Sequence, residues 1–262
     1  MNVRQAAVSG TFYPGRAPDL QAQVQRLLDD NAPQEAQAAP PRALIVPHAG
    51  LVYSGPVAAS AYNLLRTHAQ AYARVLLLGP NHRMPLRSMA VPSTAGFACP
   101  LGVMKLDTAR LRDWVDHGWV EYNDEVHRLE HCIEVQLPFL LSANPHWQLL
   151  PVIAGQAPKE AVAELIGRGL DSADTLVVVS SDLSHYHSYG IAQRIDRATS
   201  QHIERLEADL LPDQACGCVA VNGLLRAAAR RGLSVHCVDL RNSGDTAGPR
   251  DRVVGYGAYA FA

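Results

Sequence analysis

Four short apolar runs most constrain what this chain can fold into. Ala43-Leu44-Ile45-Val46, Arg74 to Leu78, Leu149 to Ile153 and Thr175 to Val179 have strand length and carry apolar side chains on both faces. Helical stretches separate them, at Val57 to Leu65 and at Lys159 to Leu170. An amphipathic helix precedes them at Ala17 to Asp30, where Leu20, Val24, Leu27 and Leu28 recur at helical spacing. A helix at Ala215 to Arg230 and strands at Ser234 to Leu240 and Arg252 to Phe261 follow. Strands buried on both faces and separated by helices predict an α/β fold of three layers, with a mostly parallel central sheet flanked by helices. The segments 43–47, 74–79, 149–153 and 175–180 are expected to be neighbours in that sheet. A length of 262 residues suits a single domain spanning 1–262, with a core that needs no disulfide or metal staple.

Composition removes several function classes. The formal net charge is −2 and there is no run of Lys and Arg, so nothing favours nucleic acid or an anionic membrane surface. No apolar stretch reaches the roughly 20 residues of a membrane span, and Met1-Asn2-Val3-Arg4-Gln5 has no signal-peptide character. Five cysteines are an odd number and do not form a secreted framework. A reduced, cytoplasmic setting is expected, with Cys132, Cys218 and Cys237 outside any disulfide and Cys237 in the core. Asn31 to Pro41, rich in Ala, Gln and Pro, reads as a surface connection.

Ligands of parallel α/β sheets sit beyond the carboxyl ends of the strands. Three strands end there in polar residues that apolar burial does not explain: Pro47-His48-Ala49-Gly50, Gly79-Pro80-Asn81-His82, and Ser180-Ser181-Asp182-Leu183-Ser184-His185. Any one of these histidines alone reads as a hydrogen-bonded loop residue. Three at equivalent places point to a crevice of imidazoles, which suits iron, copper or zinc. The strands ended by His48 and His82 are one crossover apart in sequence and are expected side by side.

Two further segments carry candidate chemistry. Ala215-Cys216-Gly217-Cys218 opens a helix, and a thiol at a helix N-terminus ionises more easily and can bind metal. Equally, Cys216 and Cys218 read as small buried hydrophobes. Glu130-His131-Cys132-Ile133-Glu134 reads as helical, which puts His131 and Glu134 on one face, either as proton-transfer machinery or as a solvated ion pair. The chain has no His-Glu-x-x-His, no nucleophile elbow and no Walker A loop.

Taken in order, Ser9-Gly10-Thr11-Phe12-Tyr13-Pro14, Val46-Pro47-His48-Ala49-Gly50, Gly79-Pro80-Asn81-His82, Glu130-His131-Cys132-Ile133-Glu134, Ser180-Ser181-Asp182-Leu183-Ser184-His185, Ala215-Cys216-Gly217 and Asn242-Ser243-Gly244-Asp245 resemble the Memo family. Its bacterial members are called AmmeMemoRadiSam system protein B, and its eukaryotic relative is a mediator of cell motility. The resemblance covers nearly the whole chain. It implies a fold similar to that of the class III extradiol dioxygenases, which hold non-haem iron(II). It also implies His48, His82 and Cys216 as metal ligands, with His185 beside the metal and Asp182 close by. The dioxygenases use a carboxylate in place of the thiolate, and a thiolate makes the site softer, towards copper(I) or zinc. Gln136 stands where the eukaryotic relative resembles a histidine, and Cys218-Val219-Ala220-Val221 departs from the family's expected Pro-Ile.

The leading expectation is an oxidoreductase of dioxygenase type acting on a small-molecule substrate with iron(II). His185 would serve as general acid/base, and Asp182 or Glu134 would orient imidazoles, with His131 beside Glu134. Two alternatives stand beside it. One is a non-catalytic metal- or partner-binding component working with a radical S-adenosylmethionine enzyme and an AMMECR-type protein. The other is metal-assisted hydrolysis, with zinc activating water.

Overall fold

In the computed structural model, which describes residues 2–32 and 39–262, the four apolar runs become the centre of one sheet. They are β1 (Ala43–Val46), β2 (Arg74–Pro80), β7 (Gln148–Ala154) and β8 (Thr175–Ser180). Their order across the sheet is β1-β8-β2-β7, and every pairing among them is parallel. All residues of β1 and β8 are buried, as strands covered on both faces must be.

Antiparallel strands extend both sides. Beyond β1 lie β11 (Val253–Phe261) and β10 (Val235–Asn242), and β9 (His185–His187) pairs with β11. Beyond β7 lie β3 (Met89–Val91) and β6 (Glu121–Tyr122). A separate ribbon joins β4 (Gly96–Cys99) and β5 (Gly102–Lys105). The segments expected to be neighbours are neighbours, but the ends of β1 and β2 are not side by side: β8 lies between them.

Helices cover both faces. On one, α6 (Lys159–Leu170) and α8 (Cys218–Ala229) pack on each other and against β8. On the other, α1 (Ala17–Asp30), α2 (Leu51–Tyr62) and α5 (Leu137–Ala143) pack together. The longest helix, α7 (Tyr189–Glu204), covers β9 to β11, and α3 (Thr108–Asp116) and α4 (Asp124–Arg128) lie in the connection around β6. Among the described residues, no helix is long and apolar enough to cross a membrane.

Several boundaries move. The helix read at Val57 to Leu65 starts at Leu51, immediately after the His48 loop, and ends in a 3-10 turn at Asn63–Leu65. The helix read at Ala215 starts at Cys218. Residues 131–133 form a turn, and the chain becomes helical only at Glu134, first as a 3-10 turn and then as α5. The connection read at Asn31 to Pro41 lies mostly outside the described residues. All five cysteines are free thiols, and Cys237 is half-buried, not in the core.

Candidate metal centre

The carboxyl ends of the central strands form a row. His48, Asp182 and His82 are each the second residue past β1, β8 and β2. The sheet order therefore puts Asp182 between the two histidines in sequence of strands. The ring centroids of His48 and His82 are nevertheless only 5.2 Å apart. The turn before α5 brings His131 to the same place, its ring 5.3 Å from His48 and 4.8 Å from His82. His48, His82 and His131 each offer a ring nitrogen, and these three atoms lie within 4.8 Å of one another.

Cys216 joins from the segment preceding α8. Its backbone N–H donates to Asp182 O at 3.2 Å, and its Sγ accepts from Asp182 N at 3.3 Å. This exchange fastens the thiol to the end of β8, where Sγ lies 3.3 Å from His48 Nε2. Two donors on one tetrahedral ion, at roughly 2.0 and 2.3 Å, are separated by roughly 3.5 Å. The thiol and imidazole are thus spaced like adjacent metal ligands.

Hydrogen bonds fix which nitrogen of the His48 and His82 imidazoles is free. Ser180 Oγ has one hydrogen, and it donates that to Cys132 O at 2.7 Å. It accepts from Gln136 Nε2 at 2.9 Å, so at His48 Nδ1, 2.9 Å away, it must accept again. His48 therefore carries its proton on Nδ1 and turns an Nε2 lone pair towards Cys216. Gln136 is itself held, with its Nε2 donating to Pro47 O and its Oε1 accepting from Tyr62. His82 Nδ1 lies 2.9 Å from Glu130 Oε1, an acceptor when ionised, so its Nε2 is free as well.

Glu130 is the anionic hub beneath the imidazoles. Its carboxylate also accepts from the backbone N–H groups of His82, His131 and Cys132. The Nδ1 of His131 comes within 3.2 Å of it, without hydrogen-bond alignment. Burial opposes ionisation, but the close approach of His131, the hydrogen bond from His82 and the backbone N–H donors outweigh it and hold the Glu130 carboxyl well below the usual range. His82, Glu130 and Cys132 form a second group of donors close enough for a metal.

Charge states suit metal ligation. Burial pushes His48 down to about 4, against the pull of Asp182, so the imidazole is neutral at pH 7. Burial, and then the Asp182 charge, push the Cys216 thiol up. This corrects the expectation of an easily ionised thiol: Cys216 precedes the helix, whose N-cap is Gly217, and lies against a carboxylate. A coordinated cation reverses that preference, because a ligating thiol is deprotonated. Among the described residues, the donors that lie within 4.8 Å of one another are those of His48, His82 and His131, and those of His82, Glu130 and Cys132; neither group includes Cys216, whose thiol is at ligand spacing from His48. Converging imidazoles with free Nε2 atoms beside a thiol and an anionic Glu130 fit a bound transition metal.

The other sequence-predicted residues separate. Asp182 belongs to the site, its Oδ1 accepting from His48 N at 2.7 Å. His185 lies in β9 with its ring 5.8 Å from that of Tyr186, and no hydrogen bond or ring contact joins it to His48, His82, His131 or Cys216 among the described residues. Glu134 does not orient an imidazole. It is fully buried and binds the N-terminal arm, accepting from Arg4, Ala7 N, Val8 N and the Tyr13 hydroxyl. That arm lays Phe12 against His131, 4.8 Å between centroids. Sequence reasoning missed the roles of Glu130, Ser180 and Gln136. Glu130 adjoins His131, a candidate proton-transfer residue, Ser180 stands in a polar strand-end motif, and Gln136 stands where a relative resembles a histidine; which partner each one holds follows from the fold, which spacing does not give.

Comparison with known proteins agrees with this arrangement of motifs. The family model described as Memo-like protein matches residues 4–260. A MEMO1 family protein of Aquifex aeolicus is 34% identical, with 98% of each chain covered. A MEMO1 family protein of Thermoplasma volcanium is 31% identical over 97% of this chain and 96% of its own. One of Methanosarcina barkeri is 31% identical over 98% of both. Matched from near one terminus to near the other, the chain belongs to the Memo-like family.

Proposed function

We propose that the chain is a metal-dependent oxidoreductase of extradiol-dioxygenase type, with iron(II) held by His48 Nε2, His82 Nε2 and Cys216 Sγ and a small aromatic diol as substrate. The observation that carries this reading is the His48 Nε2 lone pair, freed by Ser180 and set 3.3 Å from the Cys216 sulfur. When bound, iron(II) supplies redox chemistry and leaves open positions for a chelating substrate. Glu130 fixes the His82 ring and Ser180 fixes the His48 ring, as the outer partners of metal-ligating histidines do. His131, half-buried at the edge of the cluster, holds and moves a proton on the substrate hydroxyl side. The family resemblance implies His185 for that step, and a comparison of His131→Gln with His185→Gln separates the two. Anaerobic purification, iron(II) loading and O₂ uptake across a catechol panel test the function. Diol-dependent uptake supports it, and no uptake by iron-loaded protein overturns it.

A second reading rests on the soft thiol donor. Here copper or zinc is bound without turnover, in a cytoplasmic assembly with radical S-adenosylmethionine and AMMECR-type proteins. Stoichiometric copper or zinc that iron(II) does not displace favours it.

A further inference from the structure

The candidate centre opens into a cleft of about 590 Å³ that His82 and Cys216 help to line. The charge of that cleft is one-sided. Among its lining residues there is no aspartate or glutamate, and the fixed charges are two arginines, Arg83 and Arg87. Both side chains are exposed, and neither makes an ion pair or hydrogen bond with any described residue. Ten of the other nineteen arginines form ion pairs with described residues, as Arg74 does with Asp107 and Asp174 and Arg231 with Asp171; what sets Arg83 and Arg87 apart from other arginines without such a pair, such as Arg110 and Arg112, is that they share the cleft with His82 and Cys216. Two unpaired guanidinium groups beside a donor cluster, with no counter-charge in the wall, are what an anionic ligand requires.

The loop that carries them is built. Asn81 donates to Met84 O and accepts from Met84 N, closing a turn that presents Arg83 directly after His82. Further on, Gln156 N donates to Leu86 O at 2.9 Å and Gly155 N to Ser88 O at 3.0 Å, which pins the residues on either side of Arg87 to the end of β7. Gly155 permits this approach, because a Cβ there would stand 2.2 Å from Leu86 O. Opposite, the first turn of α8 faces the cleft through Cys218, Val219 and Ala220, and its partial positive charge acts in the same direction.

We propose that Arg83 and Arg87 form a carboxylate-binding subsite beside the metal centre, so that the substrate is an anionic molecule whose acid group is gripped in the cleft while its other end reaches His82 and Cys216. That this anion is a substrate rests on the oxidoreductase reading; that it binds does not. Protocatechuate and its uncharged methyl ester are the probes, titrated calorimetrically into iron(II)-loaded protein under anaerobic conditions. The expected result is that the acid binds about 10-fold or more tightly than the ester, and that added salt narrows the gap. The variant R83Q/R87Q removes the preference, R83K/R87K retains part of it, and iron per chain is unchanged in both. Equal affinity for acid and ester, a preference that survives in R83Q/R87Q, or no binding of protocatechuate overturns the subsite. Arginine-dependent binding without O₂ uptake leaves the subsite standing and counts against the oxidoreductase reading instead.

Discussion

Each candidate ligand is set by one neighbour that can act in only one way. Ser180 accepts at His48 Nδ1 because its hydrogen is committed to Cys132 O. Ser180→Ala should therefore leave the fold intact and weaken metal binding about 10- to 100-fold, the usual cost of losing an outer partner of a ligating histidine. Competition with a chelator of known affinity measures this, and unchanged affinity would show that the tautomer is not held by Ser180. Cys216 makes a sharper case. Its thiol is pushed up and so protonated at pH 7, whereas His48, down at about 4, is already neutral. If Cys216 ligates, metal uptake releases about one more proton than it does in Cys216→Ala. Titration calorimetry in buffers of different ionisation enthalpy counts those protons, and an equal count in the two proteins would exclude thiolate ligation.

At the scale of elements, the site is a row of strand ends stabilised from below. Gly79 near the end of β2 shows how closely the layers meet, since a Cβ there would lie 2.3 Å from the buried Cys132 Sγ. Gly79→Ala must displace either β2 or the Glu130–Cys132 turn. It should cost about 1–3 kcal/mol, as overpacking does, and loosen metal binding together with stability. Chemical denaturation reads the first and metal titration the second. The neighbouring α4 carries a pH dependence of its own. His127 is buried, its Nε2 bonded to Ala90 O at 3.0 Å, and burial holds it down at about 4. Below its unfolded value of 6.5 the unfolded chain takes up a proton that the folded chain does not. Stability present above pH 6.5 is therefore lost as the pH falls towards 4. The gap of roughly 2.5 pH units corresponds to about 3 kcal/mol. In metal-free protein, His127→Gln should shrink the stability difference between pH 7 and pH 4 by about that much. An unchanged difference would place the acid sensitivity elsewhere.

Across the whole molecule, the N-terminal arm is tied to the site through the buried Arg4–Glu134 pair. Glu134→Ala leaves Arg4 buried without its partner. It should destabilise the fold by about 3–5 kcal/mol, measured by denaturant unfolding, and free Phe12 from the His131 ring. The central sheet was legible in sequence because β1, β2, β7 and β8 are apolar on both faces, and such runs have few other places to go. The flanks were not, because β3, β6 and β9 are two or three residues long and owe their pairing to tertiary context. His48, His82 and Asp182 were legible as polar residues at strand ends. Cys216 was legible as a thiol near a helix start, but its choice as a ligand came through family resemblance, since its spacing alone also reads as a buried hydrophobe. Glu134 misled because the segment before it looks helical, whereas residues 131–133 are a turn. That turn sends His131 to the cluster and Glu134 to the arm. The most direct test of a single metal centre built on His48 is the iron(II) content of anaerobically reconstituted wild-type protein and His48→Ala, with circular dichroism confirming that both are folded. The expected result is one iron per wild-type chain and none in the variant. Stoichiometric iron in folded His48→Ala would contradict the centre described above.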